Sequence, residues 1–157
     1  MKNLLLSLFI AVITAACKGY AQEEMPQKFE IEKSDEAWKK TLTPEQFQIT
    51  RKKGTEKAFS GKYVYNHQVG TYHCVCCKQE IFTSNTKFEA GTGWPSFWSP
   101  ISNTNVLVVS SDSGGPSQEE VICSKCGAHL GYLFDDGPKP TGKRYSINSL
   151  SLAFEKK

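Results

Sequence analysis

No apolar run in this 157-residue chain is long enough to cross a membrane core. The longest, Leu4 to Ala16, has about 13 residues where a spanning helix needs about 20. Charge of one sign is scarce too, with 19 Lys plus Arg against 16 Asp plus Glu. The formal net charge of +3 falls to +1 once residues 1–21 are set aside, because Lys2 and Lys18 leave and no acid does. A near-neutral chain lacks the electrostatic footprint of a nucleic-acid binder. No internal repeat occurs beyond two cysteine pairs, and no segment reads as a crossover helix between strands, which argues against a parallel α/β sheet. What remains, 39% hydrophobic and 22% charged residues, is ordinary globular composition, which excludes a disordered, collagen-like or multi-span membrane chain.

The N-terminus reads as an export signal. Lys2 precedes the apolar run, and small residues, Thr14-Ala15-Ala16, close it before Cys17; charged, apolar and small-residue regions in that order mark a secretory signal. Two processing routes fit residues 1–21: lipidation of Cys17, giving a membrane-anchored lipoprotein, or cleavage after Ala21, giving a soluble exported protein. Both place the chain in a periplasm or cell envelope, an oxidising compartment where free thiols need a reason to persist.

Residues 22–33 are polar and of mixed charge, the composition of a tether; the domain is expected over 34–157. A short helix is predicted to begin at Ser34-Asp35-Glu36. A second start is marked by Thr43, Pro44 and Gln46, which form a capping box with proline at the first helical position, and Gly54 is placed to end that helix. From Tyr63 onward short β-prone runs alternate with Gly, Pro, Asn, Asp and Ser. Strands are predicted at 71–75, 106–110, 120–123, 130–134 and 144–154, with 111–117 as an exposed loop. The expected fold is mainly β and antiparallel, with short N-terminal helices.

Six cysteines exceed what packing needs. Cys74-x-x-Cys77 and Cys123-x-x-Cys126 are separated by 45 residues. Two such turns can direct four thiolates at one zinc ion, with Gly127 allowing the second turn to close tightly; two disulfides, or one redox-active pair, are the alternatives. Cys76 is left over and reads as a packed residue.

Four strings carry a resemblance: Tyr72-His73-Cys74-Val75-Cys76-Cys77, Gly91-Thr92-Gly93-Trp94-Pro95-Ser96-Phe97, the run from Cys126 to Pro138 that contains His129-Leu130-Gly131-Tyr132, and Pro140 to Ser149. Their order and spacing resemble the methionine-(R)-sulfoxide reductase family, type B, in its zinc-containing form. The resemblance implies two antiparallel sheets stapled by a four-cysteine zinc site, and thiol-dependent reduction of methionine-(R)-sulfoxide in proteins, with thioredoxin or another thiol as reductant. It implies that Trp94 and Phe97 contact substrate, and that Arg144, Asn148, His129, Tyr132 and Asp136 surround the reacting group. Asp135 and Asp136 also read as a turn pair before Gly137-Pro138.

The sequence departs from that pattern at three positions. Ser146 occupies the place of the nucleophilic cysteine, and a hydroxyl cannot become a sulfenic acid. Tyr132 replaces a second histidine, and a phenol with a free pKa near 10 is a poorer proton shuttle at neutral pH. Thr92 stands where some members carry a resolving cysteine. Three accounts of Ser146 are open: an engineered exchange, a natural homologue that kept the pocket as a binding module for oxidised methionine or an envelope partner, and a displaced thiol, for which Cys76 is the one candidate left.

Overall fold

The computed structural model describes residues 27–111 and 118–157. The export signal, Cys17, the first part of the tether and most of the predicted loop at 111–117 lie outside them. Among the described residues, two short helices are followed by nine strands arranged as two antiparallel sheets, as the sequence pattern and the resemblance lead one to expect.

Helix α1 (Asp35–Lys39) is capped by Ser34, whose side chain accepts from Ala37 N, and buries Trp38. Helix α2 (Pro44–Lys52) carries the expected capping box, with Thr43 Oγ1 accepting from Gln46 N at 3.2 Å and Gln46 Oε1 accepting from Thr43 N at 3.1 Å. It ends one residue earlier than Gly54 suggested. Lys53 itself turns left-handed at φ 56°, and Gly54 N then donates back to Gln48 O. The described part of the tether, residues 27–33, lies along the domain: Ile31 N donates to Lys125 O, and the Phe29 ring covers Gly127.

One sheet orders β2 (Glu80–Thr83), β1 (Gly70–Cys74) and β9 (Leu152–Lys156). The other orders β3 (Lys87–Phe88), β4 (Ser96–Phe97), β8 (Arg144–Ile147), β7 (His129–Phe134), β6 (Gln118–Cys123) and β5 (Val106–Ser111). The predicted strand 144–154 is two strands, because a 3-10 turn at Ser149–Ser151 carries the chain from one sheet to the other. Strands β2, β3 and β4 escaped the sequence reading; β3 and β4 are two residues each, too short to show alternation.

The sheets meet through aromatic rings. Phe82 stacks on Phe97 at 4.3 Å between centroids, and Tyr72 meets Phe97 edge-on at 5.0 Å. Tyr145, directly opposite Phe97 in the β4–β8 register, closes on Phe82 at 5.7 Å. Burial pushes the Tyr72 phenol up to about 12, consistent with a hydroxyl whose partner, Asn66, is neutral.

Gly131 on β7 decides how closely β8 approaches. A Cβ built there would lie 2.0 Å from Ser146 O and 2.9 Å from Ile147 Cα. Both are backbone atoms that cannot step aside, so only glycine fits. Gly131→Ala is therefore expected to destabilise the domain by about 1–3 kcal/mol in urea unfolding, and to lose ligand binding at Ser146 more completely than that loss of stability explains.

Candidate active site and metal centre

Strand alternation sorts β8 into two sets. Tyr145 and Ile147 face the aromatic core, whereas Arg144, Ser146 and Asn148 face the other side. Register then builds a row across four strands. Ser96 lies opposite Ser146, Ser146 opposite Tyr132, and Tyr132 opposite Glu120. Directly opposed residues in an antiparallel pair share a face, so these side chains stand on the face over which α2 and residues 53–58 run.

A cavity of about 260 Å³ opens over this row, lined by Thr55, Trp94, Gly131, Tyr132, Phe134, Ser146 and Asn148. Four residues expected at the site from sequence are thus brought together: Trp94, Tyr132, Ser146 and Asn148. Trp94 and Phe134 give apolar walls, and Ser146 and Tyr132 bring hydroxyls. Asn148 is a brace more than a donor. Its Oδ1 accepts from Glu56 N at 3.0 Å and its Nδ2 donates to Leu130 O at 3.2 Å.

Arg144 flanks the row without lining the cavity. Its guanidinium lies over the Phe134 ring at 4.2 Å and holds Asp136 in a two-point pair at 2.7 and 2.9 Å. That guanidinium keeps the Asp136 carboxyl below its ordinary value. Asp135 pairs instead with Lys143. His129 is fully buried rather than open to the cavity; its Nδ1 meets Glu120 Oε1 at 2.8 Å and its ring edge rests against Tyr132. Phe97, expected to contact substrate, does not line the cavity. Its register opposite Tyr145 turns it to the far face, where it is sealed between Phe82 and Tyr72.

Sequence reading missed Glu56. It is buried, its Oε1 and Oε2 accept from Ser149 N at 2.6 Å and Leu150 N at 3.0 Å, and its carbonyl accepts from Trp94 Nε1 at 3.1 Å. One residue therefore ties the cavity's indole wall to Asn148 and to the turn after β8. A lone acid in a polar stretch gives no local signal of this, since every partner is distant in sequence.

Away from the cavity, Cys74, Cys77, Cys123 and Cys126 bring their sulfurs within 4.8 Å of one another and could hold a metal ion. The two knuckles share one backbone pattern. Lys78 N donates to Cys74 O and Gly127 N to Cys123 O, both at 2.9 Å. The donor residue is left-handed in both, Gly127 at φ 67° as expected and Lys78 at φ 66° without the help of glycine. None of these cysteines is disulfide-bonded. Cys76 sits in the first knuckle, packed against the core, and does not line the cavity.

Comparison with known proteins places this arrangement. The SelR domain model matches residues 42–156. Proteins named peptide methionine sulfoxide reductase MsrB match at 56% identity in Methanosarcina barkeri, covering 80% of this chain and 88% of the relative, and at 53% in Leptospira interrogans, covering 82% and 98%. The solved Mis18 Yippee-like domain matches at 17% identity with a TM-score of 0.44, covering 57% of this chain and 98% of that one.

The geometry leads to two expectations. Glu56→Ala leaves two N–H groups without acceptors, a loss of about 1–3 kcal/mol for each, readable in chemical denaturation, while the main-chain carbonyl at 56 still accepts from Trp94 Nε1. Chelating a metal from the four cysteines is expected to lower the melting temperature, and Cys123→Ser to abolish metal content. The chain belongs to the methionine-(R)-sulfoxide reductase family, defined by its SelR domain.

Proposed function

We propose that the cavity over Ser146 receives the oxidised side chain of methionine-(R)-sulfoxide in proteins, and that the domain promotes its thiol-dependent reduction. The observation that carries this reading is the placement of an indole wall and two hydroxyls around one small cavity on the face that bears Ser146. A methyl sulfoxide is an apolar group joined to a strong hydrogen-bond acceptor. Trp94 and Phe134 suit the first, and the Tyr132 and Ser146 hydroxyls can donate to the second.

Ser146 cannot take the oxygen, so the nucleophile comes from the reductant, which here is a low-molecular-weight or thioredoxin-like dithiol. Its thiolate attacks the bound sulfur, forming a sulfur–sulfur bond, while the oxygen takes up two protons and leaves as water. The second thiol breaks that bond, releasing methionine and leaving the reductant as a disulfide. One sulfoxide and two thiols thereby give one sulfide, one disulfide and one water. The chain's own residues bind, orient and donate hydrogen bonds.

The four cysteines fit zinc. A tetrahedral ion with bonds of about 2.3 Å separates its sulfurs by about 3.8 Å, and the close pairs here are 3.8 Å for Cys74 with Cys126 and 3.5 Å for Cys77 with Cys123. Four thiolates leave no open position, so zinc would act as a structural cross-link with no part in the reaction. The export reading of residues 1–21 complements this, since bound zinc protects thiols in an oxidising envelope.

The test is reduction of a blocked methionine-(R)-sulfoxide by the zinc-loaded protein with excess dithiol, with Ser146→Cys alongside. The expected outcome is slow turnover by the parent, proportional to dithiol concentration, and turnover at least tenfold faster by Ser146→Cys. Binding without any reduction by the parent would instead favour a methionine-sulfoxide-binding module, and an inactive Ser146→Cys that also fails to bind would reject the pocket altogether.

A further inference from the structure

Glu120 is a buried carboxyl that the site as described does not use. It is 1% exposed, yet it stands in the row that carries Ser146, two strands away, or about 10 Å at the usual spacing. His129 joins the same face. It lies opposite Ile122, which follows Glu120 by two residues on β6. His129 Nδ1 meets Glu120 Oε1 and Lys53 Nζ meets Glu120 Oε2, each at 2.8 Å. Burial opposes ionisation of Glu120, but these two bonds outweigh it and hold the carboxyl below its ordinary value.

The far nitrogen of the same ring is the second observation. His129 Nε2 is buried and has no hydrogen-bond partner among the described residues. A sealed polar atom without a partner costs about 1–3 kcal/mol, and an ion pair buried only for stability is commonly matched or bettered by apolar residues. Both costs fall on one imidazole whose edge rests on Tyr132, a wall of the Ser146 cavity, at 5.2 Å between centroids. A second cavity of about 270 Å³ is lined by Lys53, Val109, Glu120 and His129 among others.

We propose that Glu120 is a positioning residue of the Ser146 pocket: it fixes the His129 ring through Nδ1, so that Nε2 is the nitrogen left for chemistry beside Tyr132. In neutral His129 the proton then sits on Nδ1 and Nε2 is an acceptor. A second proton enters at Nε2, and the Glu120 carboxylate balances the charge. Lys53, exposed at the surface, bonds the other oxygen and stops the carboxylate from rotating away. The groups around the imidazole are thus Glu120, with Lys53 on its other oxygen, and Tyr132, and Arg51 lines the second cavity.

The tautomer is measured directly by long-range nitrogen–proton NMR on the ¹⁵N-labelled, zinc-loaded protein, the His129 signals being assigned by their loss in His129→Gln. The proposal expects the Nδ1–H form in the parent; an Nε2–H form overturns it without any variant. Glu120→Gln keeps an oxygen acceptor and should keep the tautomer, whereas Glu120→Leu should convert it to Nε2–H. In the Ser146→Cys background, Glu120→Leu should lower kcat about tenfold or more with KM within about threefold, and Glu120→Gln should retain most of kcat. Equal kcat in Glu120→Leu overturns the proposal, and if that variant fails to fold, the parent tautomer decides. The kinetic arm rests on the sulfoxide reading of the pocket and the NMR arm does not, so an inactive Ser146→Cys with an Nδ1–H His129 would defeat that reading alone.

Discussion

The fold hangs on a junction of four thiol groups. Cys74 ends β1 in one sheet and Cys123 ends β6 in the other, and Cys77 and Cys126 bring each knuckle back to the same point. Holding the two sheet ends together fixes the distance across which Tyr72 and Phe82 can meet Phe97 and Tyr145. In a small β domain with few helices, a metal ion held by these four sulfurs would replace core volume the chain does not possess. Arg51 extends the junction by donating from α2 to Cys126 O at 2.9 Å, so the helix packed against β7 is keyed to the same point.

From this junction the site is assembled by register. Strand β8 presents alternate residues to core and cavity, Gly131 lets β7 approach it closely, and the row from Ser96 to Glu120 follows. The second support is Glu56, which joins three segments through main-chain and side-chain bonds. A cavity so braced is shaped before any ligand arrives, the condition for orienting a group as small as a methyl sulfoxide.

Sequence made legible what depends on local chemistry or recurring strings. Thr43-Pro44-x-Gln46 specified α2, the two C-x-x-C turns specified the four-cysteine cluster, and the strings around Trp94, His129 and Ser146 identified the family. Whatever depends on pairing across the chain stayed hidden. Phe97 sits beside Trp94 in a site-bearing string, yet β-sheet alternation turns it into the core. Glu56 and Glu120 look like surface acids in sequence and are buried because their partners come from Ser149, Leu150, His129 and Lys53. The break at Ser149–Ser151 was masked by β-prone residues on both sides of it.

The alternation of β8 separates two kinds of selection. Position 146 touches the cavity and leaves the aromatic core to its neighbours Tyr145 and Ile147, so exchanging sulfur for oxygen there alters reactivity while the scaffold has no cause to respond. A lineage could exchange the side chain there in a single step without passing through a poorly folded intermediate. The architecture treats its most consequential atom as an interchangeable part.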